Sequence, residues 1–64
     1  MNFNFYILDE ARQNKGISIR EVCEELKINP STWHRWMNND VKPKLETVMK
    51  ACNYLEININ DLIN

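Results

Sequence analysis

Sixty-four residues leave room for one small domain, which on folding buries only about 60% of the surface its unfolded chain exposes, and exclude a two-domain enzyme. Eight basic against nine acidic side chains give a formal charge of −1, and 44% of residues are hydrophobic with one Gly and two Pro; this excludes a polybasic or acidic tail and a low-complexity, disordered chain. Any charge-driven partner must meet a local patch.

Gly16, Pro30 and Pro43 divide the chain, and apolar residues between them recur at helical spacing. A first helix is predicted over about Phe3 to Asn14, with Phe5, Leu8 and Ala11 on one candidate inner face and Phe3, Ile7 and Ala11 on another. Ser18 followed by Glu21 forms a capping box, in which the hydroxyl accepts the N3 amide while the carboxylate reaches back to the cap amide, so a second helix starts there. Its apolar stripe is Ile19, Val22, Cys23 and Leu26. Asn29 suits an N-cap and Pro30 the first helical position, where its missing N–H costs nothing; the third helix is expected over Pro30 to Asn38. After Pro43, a fourth stripe runs through Leu45, Val48, Met49, Cys52 and Leu55. Asn58 is expected to cap a short fifth helix, with Asp61 at the positive end of its dipole. Strand-like alternation is confined to Ile57 to Ile59, so the fold class read here is all-α, five helices and no sheet.

The three capped starts share a second device. The residue before each cap is Ile and the residue four beyond it is apolar: Ile17 with Val22, Ile28 with Trp33, Ile57 with Leu62. Each pair fits the hydrophobic staple that fixes the angle at which a chain enters a helix.

No apolar run approaches the roughly 18 residues needed to cross a bilayer, and the start lacks the basic and apolar regions of a secretory signal, which predicts a cytoplasmic protein without membrane contact. Cys23 and Cys52 match no zinc spacing and are too sparse for a disulfide scaffold; both read as small buried hydrophobes. His34 has no Cys, Ser or carboxylate at a suggestive spacing, and no phosphate loop or H-E-x-x-H motif occurs. The reading is a non-enzyme with no metal or cofactor, His34 lying on the surface of helix 3.

Helices 2 and 3, joined by Lys27 to Asn29 with the small Cys23 where the second helix must come close, have the layout of a DNA-reading helix-turn-helix. The stretch from Gly16-Ile17-Ser18 through Leu26-Lys27-Ile28-Asn29, then Ser31-Thr32-Trp33-His34-Arg35-Trp36, Pro43-x-Leu45-Glu46-Thr47 and Leu55-x-Ile57-Asn58-x-Asn60-Asp61-Leu62, resembles the Cro and phage-repressor (lambda-repressor-like) helix-turn-helix family over about residues 7 to 63. The resemblance implies a single DNA-binding domain over residues 1–64 of a transcriptional regulator of a phage or mobile element in a bacterial cell. Its third helix would lie in the major groove. By position, Pro30, Ser31, Thr32, His34 and Arg35 would meet base edges. Arg35 is the strongest reader, since a guanidinium can bond guanine O6 and N7 bidentately. Ser18, Arg20, Asn38, Asn39, Lys42 and Lys44 would hold phosphates. Residues 29–50 carry four basic side chains (Arg35, Lys42, Lys44, Lys50) against two acidic (Asp40, Glu46), a local charge of +2, while Asp9, Glu10, Glu21, Glu24 and Glu25 place an acidic surplus on helices 1 and 2.

Several positions depart from the family pattern. Ile19 stands where a Gln commonly grips a phosphate, Lys27 where Gly turns the chain at positive φ, and Asn39 replaces another turn Gly with a residue that tolerates that conformation. Met37 replaces a Glu that often pairs with the arginine matching Arg12, which is expected to free Arg12 for solvent, phosphate or a partner. Trp33 and Trp36 are expected to anchor helix 3 in the core, with Cys23 and Ala11 making room. Two functions follow. One is a Cro-type repressor that binds a pseudo-palindromic double-stranded DNA operator as a weak or DNA-assembled homodimer. The other is an antirepressor or modulator that keeps the fold and binds another helix-turn-helix repressor protein, toward which the near-zero charge, Ile19, Pro30 and Met37 lean.

Overall fold

The structure is a computed structural model that describes residues 3–63. Four α-helices follow one another: α1 over Tyr6–Asn14, α2 over Ile19–Leu26, α3 over Pro30–Met37 and α4 over Leu45–Leu55, with a 3₁₀ turn at Ile59–Leu62. Among the described residues there is no strand, only an isolated antiparallel bridge between Phe3 and Ile63. α4 packs against α1 and α2, α2 against α3, and the 3₁₀ turn against α1 and α4.

α3 ends at Met37 with Asn38 as its cap, one residue short of the expected bound, and two other elements differ more. The fifth helix is a 3₁₀ turn and not an α-helix. Asn58 and Asp61 do form a capping box there, but Ile63 swings out to an extended conformation to bridge Phe3, and four residues are too few for α-helical hydrogen bonds to propagate. α1 starts at Tyr6 rather than Phe3 because that same bridge ties Phe3, and the bond from the Asn4 amide to the Leu62 carbonyl at 2.6 Å ties Asn4, to the C-terminal turn instead of to a helix. Phe5 and Leu8 face inward, which selects the first of the two candidate faces, while Phe3, Ile7 and Ala11 pack at the rim of the core.

All four helices close in one way. A residue at positive φ ends each: Gly16 (φ 70°), Lys27 (58°), Asn39 (62°) and Glu56 (58°). The next amide then reaches back to a carbonyl five residues earlier, Ile17 to Arg12, Ile28 to Cys23 and Ile57 to Cys52 at 3.0 Å, and Asp40 to Arg35 at 2.9 Å. This is the Schellman closure, whose amide after the left-handed residue satisfies an orphan carbonyl of the last turn. In three of the four, that next residue is the Ile of the staple, and the residue after it is the cap of the following element. One isoleucine thus ends one helix and aims the next, packing half-buried on the core between them. The fourth closure puts Asp40 in the isoleucine's place, and there the chain runs out into an exposed loop before α4.

Ser18 accepts from the Glu21 amide at 3.0 Å and Glu21 returns the bond at 3.4 Å, so the predicted capping box is present. Asn29 occupies the cap of α3 with Pro30 in its first turn, but the Asn29 side chain makes no capping bond. Its backbone carbonyl receives the Thr32 and Trp33 amides instead, at 2.9 and 3.3 Å.

Candidate nucleic-acid interface

The inner flank of α3 is set by two indoles. Trp33 and Trp36 are buried with ring centroids 5.9 Å apart, and Val22, Cys23 and Leu26 of α2 belong to the same core. Burying a Trp side chain this completely is worth on the order of 3–5 kcal/mol against truncation to Ala, so α3 cannot rotate about its axis without losing its main anchor. The indole N–H of Trp33 donates to Asp9 Oδ1 at 3.0 Å. The same carboxylate accepts from Arg12 Nε at 2.8 Å and Gln13 Nε2 at 2.7 Å, and Arg12 also donates to the Ile17 carbonyl at 2.8 Å. Burial alone would raise the Asp9 pKa; the bonds from Arg12, Trp33 and Gln13, with the Arg12 charge, outweigh it and hold the carboxyl below its ordinary value.

This cluster corrects two expectations. Arg12 is not free, because Asp9, one turn earlier on the same helix, supplies the carboxylate that Met37 does not. Asp9 is therefore a buried acceptor and not part of an acidic surface. Met37 is half-buried against the core, so neither it nor an indole forms an exposed patch.

The outer flank of α3 carries Pro30, Ser31, His34 and Arg35, all exposed, with Thr32 half-buried. Ser31 and Arg35 are four residues apart and so share one face. Arg35 makes no ion pair among the described residues, so its guanidinium has all its donors available. Ser18, Arg20, Asn38, Asn39, Lys42 and Lys44 are exposed as well. Ser18 and Arg20 sit at the start of α2; Asn38 and Asn39 close α3; Lys42 is in the following loop, and Lys44 stands at the cap position of α4. Arg20 Nε lies 3.3 Å from Glu24 Oε1, a solvent-exposed pair worth little and easily exchanged for another anion. Lys42 and Lys44 have no ion pair among the described residues.

Two short helices, α2 and α3, joined by three residues whose first is left-handed, with the second helix clamped inward by its indoles, are the geometry of a helix-turn-helix. A family model described as a helix-turn-helix domain matches residues 6–64. The chain belongs to the helix-turn-helix domain family. No curated protein matches it closely enough to count as a relative.

The helix-turn-helix frame accounts for the exposed polar flank but not for every exposed residue. Leu45 and Met49, read in the sequence as part of the apolar stripe of helix 4, are 59% and 52% exposed, and Val41 is 42% exposed. Val48, Ala51, Cys52 and Leu55 form the face that meets the core, and Leu45 and Met49 stand at its edge. Spacing at i and i+4 marks a shared face without saying how wide the core beneath it is, so periodicity alone could not separate them. Burial pushes both thiols, Cys23 and Cys52, above the usual range, with Asp61 adding to the rise at Cys52 and Arg12 opposing it at Cys23. Neither is a poised nucleophile. Among the described residues no group of His, Cys, Asp and Glu side chains is placed to hold a metal ion.

Proposed function

We propose that the protein is a sequence-specific DNA-binding transcriptional regulator of Cro or phage-repressor type, acting as one domain that reads an operator with α3 in the major groove. The observation that carries the reading is the two-sidedness of α3: Trp33 and Trp36 are sealed inward while Ser31, His34 and Arg35 stand free outward. Arg35 is the principal base reader, because it alone on that flank can make a bidentate contact that distinguishes guanine. Ser31 and Thr32 add weakly discriminating bonds, Pro30 an apolar contact, and His34 lies at the margin of the reading face. Ser18, Arg20, Asn38, Asn39, Lys42 and Lys44 position the domain on phosphates, which carry register rather than sequence. With so few cations and a net charge of −1, binding by one copy is modest and strongly salt-dependent.

The test is selection of binding sites from random duplex DNA at low salt, followed by titration of the selected site. Enrichment of one motif that Arg35→Ala erases supports the reading; no enrichment with folded protein rejects it. The modulator reading draws on the exposed Leu45 and Met49. Its test is complex formation with a helix-turn-helix repressor encoded beside this chain.

A further inference from the structure

We propose that Asp9 is a positioning residue for the reading face: buried in α1, which carries no candidate DNA contact, it sets the roll of α3 about its own axis through Trp33, and with it the sequence that Arg35 selects. The proposal rests on the regulator reading and names a residue outside the helix-turn-helix on which its selectivity depends. Three observations carry it.

The first is how α3 is held. It packs on α2, with Trp33 and Trp36 sealed in the core. Among the described residues, the bond from the Trp33 indole to Asp9 Oδ1 at 3.0 Å is the only side-chain hydrogen bond or ion pair that any residue of α3 makes. Burial of the indoles forbids a large rotation, but apolar contact is non-directional and yields to a small one. A hydrogen bond is directional, holding to a donor–acceptor distance of about 2.7–3.2 Å and a nearly straight angle. The indole bond therefore fixes the last few degrees of roll.

The second is that the acceptor is itself immobilised. Asp9 Oδ1 also takes Arg12 Nε at 2.8 Å, and Oδ2 takes Gln13 Nε2 at 2.7 Å, both from one turn further along α1. Arg12 bonds the Ile17 carbonyl at 2.8 Å as well, immediately before the Ser18 cap of α2. A carboxylate free to change rotamer could follow a moving indole; one held at both oxygens by its own helix cannot. α3 is thereby referenced to α1 and to the start of α2 together.

The third is the lever that α3 provides. Arg35 follows Trp33 by two positions and so stands on the opposite side of the helix. With side chains included, a helix has a radius of about 5–6 Å, so a roll of about 10° carries an outward group about 1 Å sideways. A bidentate contact to guanine does not survive that displacement at both of its N–H donors. A phosphate contact from a flexible lysine does. Loss of the Asp9 bond thus blurs sequence preference while leaving the general attraction to duplex DNA in place.

A purely stabilising Asp9 would act otherwise. Partial unfolding removes the same fraction of competent protein from every duplex, so it weakens binding to the selected site and to a scrambled one by a common factor. Only a change within the folded form alters their ratio.

The experiment measures that ratio at one salt concentration for the unmodified chain, Asp9→Ala, Asp9→Asn and Val48→Ala. In parallel, residual dipolar couplings of the free proteins give the orientation of α3 relative to α1. Val48, buried on α4, takes no part in the hydrogen-bonded cluster, and its truncation costs stability through a cavity. Asp9→Ala is expected to lower the ratio about tenfold, within the discrimination that one bidentate contact carries, and to turn α3 by about 10° or more. Asp9→Asn keeps an oxygen for the indole and should leave both readouts close to those of the unmodified chain; Val48→Ala should leave the ratio unchanged. An Asp9→Ala chain with the unmodified ratio or an unturned α3, or a Val48→Ala chain that loses the ratio equally, overturns the proposal. Where the unmodified chain selects no site, the regulator reading fails on that result, and the couplings alone still decide whether Asp9 sets α3.

Discussion

The indole nitrogen of Trp33 ends on the carboxylate of Asp9, 3.0 Å away and 24 residues earlier in the chain. The orientation of α3 is thus settled partly by α1, a helix that contributes no candidate DNA contact. Asp9 accepts three side-chain bonds at once, and through Arg12 it also reaches the Ile17 carbonyl in the connector that launches α2. Both helices of the helix-turn-helix are referenced to one acidic group.

Removing that group should cost more than a surface residue would. Asp9→Ala leaves the Trp33 N–H and the Arg12 guanidinium without their acceptor in a largely buried site, a loss of about 2–3 kcal/mol. For a domain this small, that lowers the melting temperature by roughly 10 °C or more. Asp9→Asn keeps one oxygen for the indole but loses the ion pair, and should fall between the two. Thermal denaturation of the three proteins gives the order directly.

The same network predicts the direction of acid sensitivity. The Asp9 pKa is lower in the folded chain than its ordinary value of 3.8, so the unfolded state binds the proton more tightly. The contribution of Asp9 to stability is therefore complete above the ordinary value and is lost as pH falls through the lower, folded one. Urea midpoints measured from neutral pH down to strongly acidic conditions should fall more steeply for the unmodified protein than for Asp9→Asn, which has nothing to protonate at that site. Equal slopes would show that other carboxylates dominate.

The left-handed helix ends give a third prediction. Lys27 and Glu56 sit at φ 58°, where a side chain costs about 1–2 kcal/mol. Glycine removes that strain but gives back part of it as chain entropy. Lys27→Gly and Glu56→Gly should each raise stability by about 0.5–1 kcal/mol, and Asn39→Gly by less, since Asn already tolerates the conformation. Gly16→Ala should lower it by about 1 kcal/mol although no atom lies within 4 Å of the added carbon. The penalty is one of backbone and not of space, and chemical denaturation of the four variants separates the two explanations.

The parts of the fold that were legible in the sequence are those fixed by neighbours in the chain. Ser18 with Glu21, Asn58 with Asp61 and the three isoleucines announce helix starts because caps and staples are local chemistry. The burial of Trp33 and Trp36 and the exposure of Arg35 and His34 agree with what the resemblance implies for those positions. Long-range events decided the rest. Phe3 was spent on a bridge to Ile63, which shortened both ends. The resemblance places a carboxylate for Arg12 25 positions away, where Met37 cannot supply one, whereas Asp9 does so from three residues back. For the interface itself, residue type and exposure could be read in advance, whereas the apolar edge at Leu45 and Met49 required knowing where the core stops.

The loop after α3 breaks the connector pattern. Asp40 takes the place that isoleucine holds in the other three closures and is exposed between Asn39 and Lys42, two of the residues assigned to phosphates. Its carboxylate stands among groups meant to meet an anion, so on the DNA-reading proposal it weakens binding. Asp40→Asn should tighten binding to all duplexes alike, by about twofold to fivefold at low salt, with no change in the preferred motif. Lys42→Ala should act in the opposite direction, weakening binding across sequences and reducing the salt slope by about one. Arg35→Lys should differ from both: it preserves charge and salt slope but loses the bidentate fork, so the motif relaxes at one position by about 1–3 kcal/mol. Salt titrations of these variants on the selected site and on a scrambled duplex distinguish a phosphate contact from a base contact. If Arg35→Lys weakens both duplexes equally, Arg35 is holding backbone and the sequence is being read elsewhere on α3.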